Sequence, residues 1–120
     1  DLIKNNQIPK VNVSDSIAKV IVEISEKRLG VTAVLKNEKI VGIITDGDLR
    51  RMLSKTTDIS HFTAKDIMGK NPKTIQENAM AIEALDKLES NNITQILVVD
   101  AQEKYIGIVH LHDLIKEGIF

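Results

Sequence analysis

The sequence predicts a mixed α/β (α+β) fold made of two β-α-β-β-α repeats that pack as a pseudo-two-fold pair. The chain matches itself when it is shifted by roughly 63 to 65 residues, and each copy alternates β-rich runs with segments of helical periodicity. A copy of ~60 residues buries only about 60% of its unfolded surface, so we expect the pair to fold as one module. We assign residues 1–62 to the first repeat with its linker and residues 63–120 to the second.

The self-match extends over nearly the whole chain. Asp1-Leu2-Ile3 aligns with Asp66-Ile67-Met68 near the start of each copy. Gly42-Ile43-Ile44 aligns with Gly107-Ile108-Val109 near the end of each copy. The sequence therefore predicts one duplicated unit rather than a longer array of repeats.

Helical and β-type segments follow the same order in both copies. In the first copy, Ser14 is expected to cap a helix that Gly30 ends. β-rich runs at 31–35 and 40–44 flank a polar tetrapeptide, which predicts a hairpin. The apolar positions of the two predicted helices are Ile17, Val20, Ile21 and Ile24 in the first and Leu49, Met52 and Leu53 in the second.

The second copy repeats this order after a polar linker at 55–62, which we expect to connect the repeats rather than to pack. Thr63 and Asp66 have the spacing of a capping box, which predicts a turn of helix at the start of this copy. The other predicted elements are a helix with apolar positions Met80, Ala84, Leu85 and Leu88, strands near 93–99 and 105–109, and a closing helix from about His112.

Composition excludes several classes of function. A net charge of -1 with 28% charged residues gives no basic surface for nucleic acid or for an anionic membrane. The chain has no Cys, so it forms neither a disulfide nor a thiolate metal site, and this fits the cytoplasm. No apolar run approaches the ~20 residues of a membrane-spanning helix, and no nucleophile has a recognisable base beside it. Because the chain opens at Asp1 rather than Met, we expect it to be a piece of a longer protein.

The most informative stretch is the strand-to-helix junction around Thr45. Thr45 ends a buried strand and a helix is expected to open at Asp48, a geometry that offers free amides to an anion. A hydroxyl suits a phosphate, a carboxylate suits ribose hydroxyls, and a guanidinium suits a phosphate or carboxylate. The candidate ligand residues of this junction are Thr45, Asp46, Asp48, Arg50 and Arg51.

A second interpretation of the same residues is purely structural. Thr45 and Asp48 also have the spacing of a capping box, and the two arginines then lie on a solvated helix face. The pattern Gly-h-h-x-x-x-Asp-h, in which h is apolar, recurs from Gly107 to Leu114. This recurrence favours a binding function over a chance cap.

In the second junction, His110 and His112 precede Asp113. The corresponding residues before Asp48 in the first junction are Thr45 and Gly47. Two histidines at i and i+2 of an extended segment point to one side, which raises the question of a metal. The chain has no Cys, and no third ligand lies near these histidines in the sequence to complete such a site, so no metal is predicted. We expect the imidazoles to hydrogen-bond a ligand or to cap the helix.

These motifs resemble those of the CBS domain family, named for cystathionine β-synthase, over almost the whole chain. The resemblance rests on the two-fold repeat, on Asp66-Ile67-Met68 leading to Asn71-Pro72-Lys73-Thr74, and on the endings at residues 42–49 and 107–114. More narrowly, Thr45–Arg51 and its counterpart in the second copy are similar to the C-terminal half of bacterial D-arabinose 5-phosphate isomerases.

The family resemblance implies a regulatory role. CBS pairs typically bind adenosine or related nucleotides through a Thr/Ser-x-x-Asp motif, which Thr45 and Asp48 match and His110 does not. The same resemblance adds Thr74 and Thr94 to the candidate ligand residues. It implies AMP, ATP or the nucleotide sugar CMP-Kdo as the effector, no other cofactor, and no catalytic residue in this chain.

The isomerase resemblance also implies a parent enzyme and partners. Those isomerases carry a sugar isomerase (SIS) domain ahead of their CBS pair. They interconvert ribulose 5-phosphate and arabinose 5-phosphate on the way to Kdo, a sugar of Gram-negative lipopolysaccharide. The expected partners are a SIS domain of the same protein and further copies of the chain in a symmetric oligomer. The alternative is a structural dimerisation module that binds no ligand.

Overall fold

A computed structural model describes residues 8–116 of the chain. These residues form two compact units, residues 8–72 and residues 73–116, referred to as the N-terminal and C-terminal units. Each unit contains one small sheet and its helices, so the predicted mixed α/β class is confirmed. The predicted match of Asp1-Leu2-Ile3 lies outside the described residues.

The N-terminal unit follows the predicted order and adds a fourth strand. Its elements are β1 (Lys10–Asn12), α1 (Ile17–Lys27), β2 (Val31–Lys36), β3 (Lys39–Thr45), α2 (Asp46–Leu53), a 3₁₀ turn (Ile59–His61), α3 (Ala64–Ile67) and β4 (Gly69–Lys70). The strands lie in the order β1-β2-β3-β4. β1 is parallel to β2, and the other neighbours are antiparallel.

The C-terminal unit repeats this arrangement with three strands. Its elements are β5 (Thr74–Gln76), α4 (Ala81–Ser90), β6 (Gln95–Val99), β7 (Tyr105–His110) and α5 (Leu111–Lys116). β5 is parallel to β6, and β6 is antiparallel to β7. The hairpin register shifts at Val34/Leu35 in the first unit and at Val98/Val99 in the second, so the duplication extends to this irregularity. No helix within residues 8–116 has the length and apolar character to cross a membrane.

Helix α1 starts at a different cap from the one predicted. The Ser16 side chain accepts a hydrogen bond from the Lys19 backbone N–H at 3.2 Å, so Ser16 is the N-cap. The prediction of Ser14 is wrong because the Ser14 hydroxyl donates to Asn12 Oδ1 instead. From this start the helix packs one apolar face into the core of the N-terminal unit, which includes Ile17, Val20, Ile24, Val34, Ile44, Leu49 and Met52.

Helix α1 also ends earlier than predicted. It ends at Lys27, and Arg28 takes the left-handed conformation with φ 59°. The Arg28 N–H donates to the Ile24 carbonyl at 3.1 Å, which closes the last turn. Gly30 also has a positive φ, of 71°, but it lies in the connection to β2. The predicted stop at Gly30 is therefore wrong, because a non-glycine residue adopts the terminating conformation.

Residues 55–62 pack against the N-terminal core. Ile59 and Phe62 are half-buried beside it, and Ile59–His61 forms the 3₁₀ turn. The prediction that this stretch connects without packing is wrong, because its two apolar side chains anchor an otherwise polar segment. Ala64 beyond it is fully buried, and β4 pairs with β3. The start of the second repeat thus packs in the N-terminal unit.

The C-terminal unit has a core of its own. One face of α4 packs on the β6–β7 hairpin and on α5. Met80, predicted to lie on that face, is instead 67% exposed. This prediction is wrong because Met80 precedes the first turn of α4 and is extended. The buried residues of this core are Ile75, Ala84, Leu85, Leu88, Ile96, Val98, Val109 and Leu114.

Gly42 leaves the space in which Met68 packs against β3. A Cβ at position 42 would overlap Met68 Sδ and lie 3.0 Å from the Gly69 carbonyl oxygen. We expect Gly42→Ala to lower the free energy of unfolding by ~1–3 kcal/mol, measured by urea unfolding. Adding Met68→Ala removes the overlapping side chain, so the double variant should lose less stability than the sum of the single changes. Strictly additive losses would contradict this explanation.

Candidate functional site

Thr45 joins β3 to α2 and closes the first turn of that helix. Its Oγ1 accepts a hydrogen bond from the Asp48 backbone N–H at 3.2 Å. In return, Asp48 Oδ2 accepts from the Thr45 backbone N–H at 2.9 Å and from the Thr45 hydroxyl at 3.2 Å. The capping box offered as the structural interpretation is therefore formed. It starts α2 at Asp46, so the predicted start at Asp48 is wrong.

Arg51 occupies the other carboxylate oxygen of Asp48. Its guanidinium donates to Asp48 Oδ1 at 2.5 Å, and the Arg51 side chain is 70% exposed while that of Asp48 is 19% exposed. Opposite charges at i and i+3 of a helix are spaced for such a pair, a sequence signal that the prediction did not use. Asp48 therefore takes part in the cap and in an ion pair at once.

The remaining groups of this junction are more open. Asp46 and Arg50 are exposed. The Asp46 backbone N–H donates to the Gly30 carbonyl at 3.0 Å, which ties the helix start to the beginning of β2. In the described part of the chain, the Gly47 amide has no hydrogen-bond partner. An anion at this helix start would therefore meet the Gly47 amide and the arginine side chains.

His110 takes the place of Thr45 in the C-terminal unit. Its Nδ1 accepts a hydrogen bond from the His112 backbone N–H at 2.9 Å, so the His110 imidazole caps α5, which is one of the two roles predicted for it. The two rings meet edge to face with centroids 6.5 Å apart. His112 lies in α5, which begins at Leu111, so the prediction of two histidines on one extended segment is wrong. Within residues 8–116, no three His, Cys, Asp or Glu side chains group to hold a metal ion.

Both junctions close on the strand beside them in the same way. The Leu111 N–H donates to the Thr94 carbonyl at 2.7 Å, the counterpart of the bond from Asp46 to Gly30. The Thr94 hydroxyl donates to Gln95 Oε1 at 3.1 Å. The structure thus brings Thr94 to the start of α5. Asp113 lies in the first turn of this helix and is exposed.

Thr74 lies apart from this junction within the C-terminal unit. It pairs in register with Leu97 in the middle of β6, whereas Thr94 precedes that strand. Its carbonyl accepts a hydrogen bond from Lys87 Nζ at 2.7 Å. With Lys87 and Glu83, Thr74 lines a shallow cavity of about 480 Å³. The structure therefore groups Thr74 with Lys87, which was not predicted from the sequence, rather than with Thr94.

Asp58 caps the 3₁₀ turn. It accepts the Ser60 hydroxyl at 2.6 Å and the Ser60 N–H at 3.1 Å, and His61 Nε2 lies 3.2 Å from its other oxygen. These hydrogen bonds, that from the Ser60 hydroxyl foremost, hold the pKa of Asp58 below its ordinary value of 3.8. The cap is therefore intact above pH 3.8 and is lost as the pH falls through the lower folded-state pKa.

This electrostatic assignment is tested by an NMR titration of the Asp58 carboxyl group. We expect Ser60→Ala to raise the pKa of Asp58 towards 3.8, because the largest stabilising hydrogen bond to the carboxylate is removed. A titration midpoint that does not move in the variant would contradict the assignment.

A model of the CBS domain family matches residues 2–55 and 64–119. The chain belongs to the CBS domain family. The two matches coincide with the two repeats of the sequence, so the chain is a tandem pair of CBS domains, and the family predicted from the junction motifs is confirmed.

Two curated relatives of this CBS pair are named arabinose 5-phosphate isomerase KdsD. The relative from Francisella tularensis is 48% identical over 113 residues, which cover 94% of the chain and 35% of the relative. The relative from Pseudomonas aeruginosa is 37% identical over 113 residues, which cover 93% of the chain and 35% of the relative. The CBS pair thus spans 35% of the length of each of these relatives.

The pair also resembles solved CBS structures. A CBS domain protein from Pyrobaculum aerophilum, solved as a complex with AMP, superposes with a TM-score of 0.83 at 20% identity. The match covers 93% of the chain and 86% of that protein. At this level of identity the likeness establishes the fold.

Proposed function

We propose that this CBS pair is a regulatory module that binds a nucleotide or nucleotide sugar and controls an arabinose 5-phosphate isomerase of Kdo and lipopolysaccharide biosynthesis. The observation that carries the proposal is the recurrence of one strand-to-helix junction, with an acid in the first helical turn, in both units. The names of the curated relatives support the parent enzyme. The catalytic residues of that enzyme, in a SIS domain, would belong to the part of the protein outside this chain.

In the N-terminal unit, the proposed phosphate partners are the Gly47 amide, the arginine side chains of α2 and the Thr45 hydroxyl, which would turn its proton from Asp48 Oδ2 to the phosphate. Asp48 is the proposed acceptor for ribose hydroxyls. The Pyrobaculum aerophilum protein was solved as a complex with AMP, which supports an adenine nucleotide such as AMP or ATP as the ligand proposed for this chain. CMP-Kdo carries a phosphate and a carboxylate, which suit the adjacent Arg50 and Arg51, and it would give feedback by a product of the pathway.

In the C-terminal unit, His110, His112, Asp113 and Thr94 are the proposed ligand groups. Because an imidazole replaces the threonine hydroxyl, we propose that the two junctions bind with unequal affinity. Thr74 would contribute only if the ligand also reaches β5. We further propose that the parent protein acts in the cytoplasm as a symmetric oligomer.

A second candidate function is dimerisation without a ligand. Exposed apolar side chains on the helices favour it, with Val22 of α1 at 52% and Ile82 of α4 at 57% exposure. An interface between copies of the chain would remove such side chains from water. A dimer whose melting temperature does not respond to nucleotides would support this function over the first. The other exposed apolar residues on or beside helices are Leu53, Met80 and Ile115.

Thermal unfolding in the presence of candidate ligands tests the proposal. A ligand that binds only the folded chain stabilises it by about 2.7 kcal/mol at 100 times its Kd, which raises the melting temperature by several degrees. We expect such a shift with AMP, ATP or CMP-Kdo and none with arabinose 5-phosphate, the substrate of the parent enzyme. No shift with any of the three nucleotides would contradict a nucleotide-binding function.

A further inference from the structure

Asp48 and Asp113 hold matching places in the two junctions but differ in their partners. Both oxygens of Asp48 are occupied, one by Thr45 and the other by Arg51. Asp113 has no hydrogen bond or ion pair with any residue between 8 and 116, although Lys116 follows it at the same i+3 spacing. The proposed ribose acceptor is therefore covered in the N-terminal unit and open in the C-terminal unit.

Arg51 lies beside Gly47 and Thr45, two of the residues proposed to contact a phosphate. A Cβ added at Gly47 would be 3.4 Å from Arg51 Nη1 and 3.5 Å from Thr45 Oγ1. The guanidinium, the capping hydroxyl and the Asp48 carboxylate thus lie together beside Gly47. With 70% of its side chain exposed, Arg51 has little packing to hold it in this position.

We infer that Arg51 is a specificity-determining residue of the N-terminal junction and selects phosphorylated nucleotides over neutral nucleosides. This inference rests on the proposed nucleotide-binding function. Without ligand, the guanidinium of Arg51 neutralises Asp48. When a phosphate becomes the partner of Arg51, Asp48 Oδ1 is released to accept a hydrogen bond from the ribose.

A nucleoside and a nucleotide meet this ion pair differently. A nucleoside competes with Arg51 for Asp48 and offers the guanidinium no new partner, so the pair weakens its binding by up to about fivefold, the range of exposed ion pairs. A nucleotide offers a phosphate, with which a guanidinium makes charge-assisted, bidentate hydrogen bonds worth about tenfold or more in affinity. The same side chain therefore penalises one ligand and favours the other.

Calorimetric titration with AMP and adenosine, and with CMP and cytidine as a second pair, tests this inference. The titrations use the Asp113→Asn chain, in which the carboxylate of the second junction is neutral, as the parent and as the background for each variant. We expect Arg51→Gln to weaken nucleotide binding about tenfold and to strengthen nucleoside binding about two- to fivefold. Arg51→Lys should keep part of the preference, because it retains the charge but not the bidentate geometry.

Lys55→Gln is the matched control, since it removes one exposed positive charge just beyond α2 and should leave the preference unchanged. If Arg51→Gln binds nucleotides as the parent does, or fails to bind nucleosides more tightly, the selectivity role is overturned while the binding function stands. If the parent binds none of the four ligands, the selectivity role is overturned, and the nucleotide-binding function is judged separately by titrating the unmodified chain with AMP, ATP and CMP-Kdo. Thermal melting of each variant verifies that a loss of binding does not come from unfolding.

Discussion

Replacing Ile44 by alanine is expected to lower the free energy of unfolding by about 2 to 5 kcal/mol, the range for truncating a large buried aliphatic side chain. Ile44 has no exposed surface and belongs to the N-terminal core. It immediately precedes Thr45 on β3, so its packing also holds the strand-to-helix junction in place. Urea or thermal unfolding of the purified chain measures the loss.

Val22→Ala is the matched control for this substitution. Val22 is an aliphatic residue of the same unit but is 52% exposed, so its truncation should change stability by less than about 0.5 kcal/mol. Equal losses in the two variants would contradict the assignment of the core.

Asp48→Ala is expected to have two effects that arise from different interactions. Loss of the capping box with Thr45 should cost about 1 kcal/mol of stability. Loss of a charged acceptor for ribose hydroxyls should weaken nucleotide binding at this junction by about 10- to 100-fold. Calorimetry and thermal melting on the same samples measure the two effects separately.

The chain offers a matched control for the cap. Asp66 accepts the Thr63 backbone N–H at 2.8 Å and the Thr63 hydroxyl at 3.2 Å, as Asp48 does with Thr45, but it lies outside the candidate site. Asp66→Ala should therefore lose similar stability and keep nucleotide affinity. If both variants lose stability and neither loses binding, Asp48 is a structural cap only.

The order of elements could be predicted because it depends on local patterns that occur twice. The capping boxes at Thr45 and Thr63 were correct, since each side chain meets a partner three residues away. The cap of α1 was not, because Ser14 and Ser16 are both good capping residues and only the hydrogen bond to Asn12 decides between them. Packing of residues 55–62 was missed because it depends on tertiary contacts of Ile59 and Phe62.

The candidate site could be located from the sequence, but its internal contacts could not. The repeated sequence pattern placed the candidate site at the ends of β3 and β7, and the structure has a strand-to-helix junction at the end of each of these strands. The ion pair between Asp48 and Arg51 depends on side-chain rotamers as well as on the i+3 spacing. Asp113 and Lys116 have the same spacing but form no ion pair with each other. The cap formed by His110 likewise depends on ring orientation.

Calorimetric titration of the chain with AMP, ATP and CMP-Kdo tests the regulatory assignment most directly. We expect saturable heat with at least one of these nucleotides, and its loss when Asp48→Ala and Asp113→Ala are combined in a chain that still melts cooperatively. Absence of heat with all three at millimolar concentration, from a folded chain, would contradict nucleotide sensing and leave dimerisation as the function to pursue.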